Sequence, residues 1–222
     1  MTTSSDDALQ APQREVQRLL GRCLLRLQQY ERLIKSIVAH HKISGPVHDL
    51  ETLQAARIAD TARKTLGALV GELLGSVATN QTDTPDEETT SFPEDVNLVS
   101  MSIQTGLSVA DFAQTKNELK ELVLLRNNLV HHFIDQHDLW SLDGCRGAHD
   151  ALVADFSRID QHYERLRRWA ESLERSRRMM AELIQSDGFL ELVVNGITPD
   201  GTVDWPTAGI VRALREAARE LA

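Results

Sequence analysis

Leu125-Arg126-Asn127-Asn128-Leu129-Val130-His131-His132-Phe133 is the one stretch of this chain where guanidinium, amide and imidazole groups crowd onto what otherwise reads as an apolar helix. Packing does not require such side chains, and burying them unpaired is costly. The segment therefore sets two expectations together: a helical fold, and a polar site carried on one of its helices.

On the N-terminal side of this stretch, Ser108 is a candidate N-cap. Asp111 stands at the third helical position in a capping-box-like arrangement. Val109, Phe112, Leu119, Leu122, Val123 and Leu125 then carry the helix into the motif. Further upstream, residues 79–97 form an acidic loop rich in threonine, and residues 96–103 alternate in a way that suits either a strand or a helical turn. Residues 1–7 are polar and read as disordered. Residues 8–40 repeat apolar side chains at three- and four-residue steps (Val16, Leu19, Cys23, Leu27, Ile34, Val38), the signature of a long amphipathic helix. His40 and His41 fall in its last turn, where a cation suits the helix dipole. After the Ser44-Gly45-Pro46 turn, a second helix spans about residues 49–78, and the two should form an antiparallel hairpin. Gly67, Gly71 and Gly75, four apart, suggest a close helix crossing on that second helix.

Downstream, residues 137–147 read as a turn region that includes Ser141-Leu142-Asp143-Gly144, and a fourth long helix covers about residues 147–186. Between Arg158 and Arg178 that helix holds seven arginines against four acidic residues. This is a salt-laced solvated face on one reading and a phosphate-facing stripe on the other, with Arg165, Arg168 and Arg175 as candidate RNA contacts. Residues 187–222 change character: a Thr198-Pro199-Asp200-Gly201 turn leads to a last amphipathic helix without polar punctuation, which reads as a small C-terminal appendage and the start of a truncated domain. The fold class expected is all-α, with residues 8–186 as one helical bundle.

Composition narrows the function. At 222 residues the chain can hold one substantial helical domain. Aromatics make up only 5%, which disfavours a stacking platform for single strands. A net charge of −9 is wrong for a protein that coats nucleic acid non-specifically, so any contact with RNA must be local. Cys23 and Cys145 make neither a CxxC pair nor a zinc framework, and Cys23 reads as a small buried hydrophobe. With no signal-peptide pattern and no long apolar run, the expectation is a cytoplasmic protein with reduced thiols and no membrane partner.

At the motif, Asn127 and His131 are four apart and lie about 40° apart on a helix, whereas Arg126 and His131 lie about 140° apart. A kink at Asn127-Asn128 would bring the second pair together. Arg supplies fixed donors for phosphate oxygens, and imidazole exchanges protons near neutral pH. The pair suffices for RNA cleavage without a metal or other cofactor. His131, His132, Asp135, His137 and Asp138 follow no recognised ligand pattern, although His131 and Asp135 are four apart. A buried Arg–His network that stabilises the core is the structural alternative.

Arg126-Asn127, three residues, then His131, inside an apolar helix of a helical chain, resembles the R-x4-6-H motif of the HEPN superfamily of RNase toxins, defence nucleases and inactive RNA-binding domains. The resemblance implies an up-and-down bundle of four to five helices, homodimerisation, and a composite cleft where both protomers' motifs meet. Arg126 and His131 would be catalytic, Asn127 supporting and His132 the fallback base; a protein antitoxin or regulatory partner is a further implication. Phe133 stands where the branch paired with nucleotidyltransferase antitoxins has a tyrosine. A second resemblance runs from Gly21-Arg22-Cys23-Leu24-Leu25 to Asp200-Gly201-Thr202-Val203-Asp204-Trp205-Pro206. Those segments look like bacterial proteins carrying a C-terminal OST-HTH/LOTUS domain, which implies an RNA-associated helical module.

Overall fold

The apolar stripe of the first long helix decides the architecture. In the computed structural model, which describes residues 3–80 and 98–186, helix α1 (Thr3–His40) begins inside the polar segment 1–7 and buries Val16, Leu19, Cys23, Leu27, Tyr30, Ile34 and Val38. Its main partner is α6 (Leu142–Ile184), which faces it with Cys145, Ala148, Leu152, Ile159, Leu166, Trp169 and Leu173. Gln13 reaches Leu139, Cys23 reaches Leu152, Arg26 pairs with Asp160 and Arg177 reaches the His40 carbonyl, so the two helices run parallel. Arg22 and Arg26 lie over the Phe156 and Tyr163 rings at 4.5 and 4.4 Å, which seals the polar edge of the same interface. Each fully buried aliphatic side chain contributes about 1.5–3 kcal/mol, and these two rows form the spine of the core.

The remaining helices pack around the α1–α6 pair. Helix α2 (Leu50–Arg63) turns back along α1: Gln54 and Arg57 bond Ala39 and Val38, while Lys35 bonds Ala62. Helix α3 (Leu66–Glu72) reverses again, capped by Thr65, and ends in a π turn over Leu73–Val77. Helix α4 (Val109–Asn127) descends antiparallel to α6, as the Glu118–Arg165 and Glu121–Arg158 pairs show. It continues through a second π turn (Asn128–His132) into the single turn α5 (Phe133–Gln136). The result is an all-α bundle with a small β trim at one end. Strand β1 (Lys42–Pro46) pairs antiparallel with β3 (Leu98–Ser102), and β2 (Ala78–Asn80) pairs parallel with β4 (Thr105–Leu107).

Several expectations change. The helix expected over residues 49–78 is two helices, broken at Lys64-Thr65 where the backbone becomes extended. Among the described residues, a Cβ at Gly71 or Gly75 would meet nothing within 4 Å, and at Gly67 only Val123 at 3.8 Å, so the four-residue glycine spacing marks no close crossing there. The ambiguous stretch 96–103 contains a strand. Helix α6 starts at Leu142 rather than near 147, because Ser141 is an N-cap that accepts a hydrogen bond from the Gly144 amide. Gly144 then passes so close to the Asp138 carbonyl that a Cβ would stand 1.9 Å from its oxygen.

His41 is 3% exposed, and burial lowers its pKa, so it is not the cation expected at the end of α1. Arg57, bonded to the Val38 carbonyl, supplies the positive charge there. Ser108 caps α4 by accepting from the Asp111 amide at 3.1 Å. Burial pushes the Cys23 thiol up to about 11, in keeping with an inert core cysteine. Of the acidic loop expected over residues 79–97, Thr79 and Asn80 belong to strand β2, held by pairing with β4, while residues 81–97 and the appendage 187–222 lie outside the described residues. Among the described residues, no helix is long and apolar enough to cross a membrane.

Candidate active site

Asn127 and Asn128 are weak helix formers and Val130 is β-branched. Where α4 reaches them, the backbone passes from α to π geometry over Asn128–His132. A π turn closes hydrogen bonds between residues five apart instead of four. Side chains at that spacing are thereby brought toward the same side of the helix. On a straight helix Arg126 and His131 would diverge by about 140°; here Arg126 Nη1 lies 3.5 Å from His131 Nε2. The closure that the sequence would obtain from a kink is achieved by the inserted turn.

The buried residues of this segment fix its orientation. Leu125, Leu129 and Phe133 are 5–6% exposed and face the core, while His131 and His132 are exposed and Arg126 is one-third exposed. The pair is therefore a surface feature, not the buried network that was the structural alternative. Arg126 Nη1 also donates to Asn127 Oδ1 at 3.2 Å, so the same guanidinium nitrogen meets both the asparagine and the histidine. A guanidinium can only donate. The contact with His131 Nε2, at the long limit for a hydrogen bond, is therefore a hydrogen bond only in the tautomer that leaves Nε2 as the acceptor.

His132 is turned elsewhere: its Nδ1 lies 3.9 Å from Asp135, and among the described residues it makes no contact with Arg126. The two imidazoles sit edge to face, with centroids 6.2 Å apart. Glu31, on α1, lies 3.7 Å from Arg126 Nε with a quarter of its side chain exposed. No sequence signal near the motif identifies Glu31, since it comes from another helix and belongs to the polar side of α1.

The arginines of α6 do not join the cluster. Arg165 is bound by Glu118, two turns up α4. Burial raises the Glu118 carboxyl, but hydrogen bonds from Arg165 and Gln114 outweigh it and the net direction is down. Arg168 Nε donates to the Glu164 carbonyl at 3.4 Å. Arg175 makes no ion pair among the described residues and lines a groove of about 550 Å³ with Ser36 and Ile37. None of the three touches Arg126, Asn127 or His131. Among the described residues, no three His, Cys, Asp or Glu side chains form a group that could hold a metal ion.

In comparisons with protein-family models, curated proteins and solved structures, nothing matches the chain.

Proposed function

We propose that this protein is a metal-independent endoribonuclease of HEPN type, with Arg126 and His131 as its catalytic residues, acting as a homodimer in toxin, defence or RNA-processing work. One observation carries the reading: the π turn at Asn128–His132 sets an accessible guanidinium and an accessible imidazole 3.5 Å apart. Helical π turns are rare and concentrate at functional sites.

In this chemistry the 2′-hydroxyl of one ribose attacks the adjacent phosphorus. The bond from phosphorus to the 5′-oxygen breaks, leaving a 2′,3′-cyclic phosphate and a 5′-hydroxyl. His131 Nε2 takes the 2′-hydroxyl proton. Arg126, steadied by Asn127, donates to the phosphate oxygens as charge builds on the phosphorane. The imidazolium of the partner protomer returns a proton to the departing 5′-oxygen, which is the role a two-fold arrangement gives the second motif. Val130 and Ile134, 44% and 77% exposed beside His131, supply apolar surface for such pairing.

The test is cleavage of single-stranded RNA in EDTA by the wild type, Arg126→Ala and His131→Ala, with folding checked by circular dichroism. Loss of cleavage in both folded variants supports the reading, and undiminished cleavage in both overturns it. A second reading, a non-catalytic RNA-binding or dimerisation module of a LOTUS-type protein, draws on the contact of Glu31 with Arg126 and on the net charge of −9. It predicts RNA retention without cleavage.

A further inference from the structure

The helix that carries Arg126 has a second, unused face. Glu121, Leu124 and Asn128 lie about 140–160° around α4 from Arg126. There they border an open cavity of about 220 Å³ lined by α4, the π turn, α5 and α6. Its floor is apolar, made of the buried Leu125, Leu129 and Phe133. Its polar groups come from four elements: Glu121 from α4, Asn128 from the π turn, Gln136 and His137 at and just after the end of α5, and Asp155 and Arg158 from α6. An apolar floor edged by polar groups suits a small ligand that has both a ring face and polar edges, and this volume falls below that of drug-sized pockets.

The chemistry of the wall selects the ligand. Asp155 accepts no hydrogen bond from any described residue; its one ion contact is Arg158 Nη1 at 3.8 Å, and only 27% of its side chain is exposed. Burial raises its pKa, with Arg158 and His137 opposing. A carboxyl held partly out of water without a donor is an acceptor waiting for one. Asn128 and His137 likewise make no hydrogen bond through their side chains among the described residues. His137 is instead stacked at a tilt on Phe133, with centroids 4.8 Å apart. The ionised wall groups are two carboxylates, Glu121 and Asp155, against one guanidinium, Arg158, whose Nη2 is engaged by Glu121 at 3.4 Å. That balance repels phosphate and favours a neutral ring with N–H donors on one edge.

We propose that this cavity binds a single nucleobase through an amino-bearing edge, with Asp155 accepting its N–H donors and Phe133 and Leu129 forming the surface under the ring. Adenine, cytosine and guanine carry such an edge, whereas uracil lacks the exocyclic amine. The inference rests on the proposal that RNA is the substrate, and it deepens it. The phosphate-directed pair and the base-directed cavity share one π turn, so a base seated on one face of the helix sets the register of the strand crossing the other.

The experiment uses free nucleosides, which have no phosphate for Arg126 and no bond to cleave. Adenosine, cytidine, guanosine and uridine are titrated into the full chain by isothermal calorimetry. The same titrations are run on Asp155→Asn and on Leu124→Trp, which narrows the cavity mouth at a 63% exposed position. The expected result is binding of amino-bearing nucleosides at least tenfold tighter than uridine, weakened about tenfold by Asp155→Asn and abolished by Leu124→Trp. Arg126→Ala and His131→Ala should leave nucleoside binding unchanged. Absence of binding by every nucleoside, equal binding of uridine, or insensitivity to both cavity variants would overturn the inference. These readouts are independent of cleavage, so failure of the nuclease assay and failure of the cavity are distinguished.

Discussion

Under the proposed function Glu31 competes with RNA for Arg126, and Glu31→Gln measures how strongly. The carboxylate lies 3.7 Å from the guanidinium Nε, with 25% and 33% of the two side chains exposed. Coulomb's law at that separation gives about 1 kcal/mol in a water-like dielectric and about 4 kcal/mol at an effective dielectric near 20. Measured pairs at partly exposed sites fall at the low end, at roughly 1 kcal/mol or less. Removing the charge should therefore change folding stability by less than about 1 kcal/mol. It should tighten RNA binding by about fivefold at low salt, since roughly 1 kcal/mol corresponds to that factor. At physiological ionic strength the gain should shrink, because screening acts over about 8 Å.

The assay is fluorescence anisotropy with a labelled single-stranded RNA, in a His131→Ala background so that the probe is not consumed. Repeating it with Arg126→Ala added closes a double-mutant cycle. If Glu31 acts through Arg126, the gain disappears in that background. An equal gain with and without Arg126, or no gain in either, would refute the assignment of Glu31 as the competing group.

Other outcomes follow from the packing. Gly144→Ala would ordinarily strengthen a helix by about 1 kcal/mol. Here its Cβ would stand 1.9 Å from the Asp138 carbonyl oxygen and 2.9 Å from the capping Ser141 Oγ, so a net loss of about 2 kcal/mol is expected in urea unfolding. The buried His41, with Arg57, Lys42 and Glu72 about it, has a pKa lowered chiefly by desolvation. Below its unfolded value of about 6.5 the unfolded chain binds a proton that the native state refuses. The urea midpoint should therefore fall as pH drops from 7 to 5.5, and His41→Gln should flatten that slope. Leu152→Ala, at a fully buried position between α1 and α6, should cost about 2–5 kcal/mol.

What the sequence shows well is periodicity. The stripe from Val16 to Val38 identifies α1, and the Ser108–Asp111 pair identifies the start of α4, because both signals lie within one or two turns of chain. What it hides is whatever depends on distant segments or on a local choice between near-equal geometries. The break at Lys64-Thr65 interrupts an apolar pattern that continues on both sides, so periodicity alone spans it. Ser141-Leu142-Asp143-Gly144 carries turn residues that serve equally as a cap, and only the approach of Gly144 to Asp138 shows which role they take. At the candidate site, Arg126, Asn127 and His131 are visible as a motif, but their meeting depends on a π turn that no spacing rule for a straight helix includes. Glu31 and Asp155 reach the two faces of α4 from other helices, and nothing in their own neighbourhoods of sequence marks them.

In the proposed function Arg126 and His131 cleave RNA through its own 2′-hydroxyl. End-group analysis of RNA incubated in EDTA with the wild type, Arg126→Ala and His131→Ala tests it most directly. The wild type should yield 2′,3′-cyclic phosphate and 5′-hydroxyl ends, with rates reduced at least a hundredfold in each variant, roughly the contribution of one general base or one charge-stabilising donor. Intact RNA with the folded wild type, or the same products at undiminished rate from both variants, would contradict it.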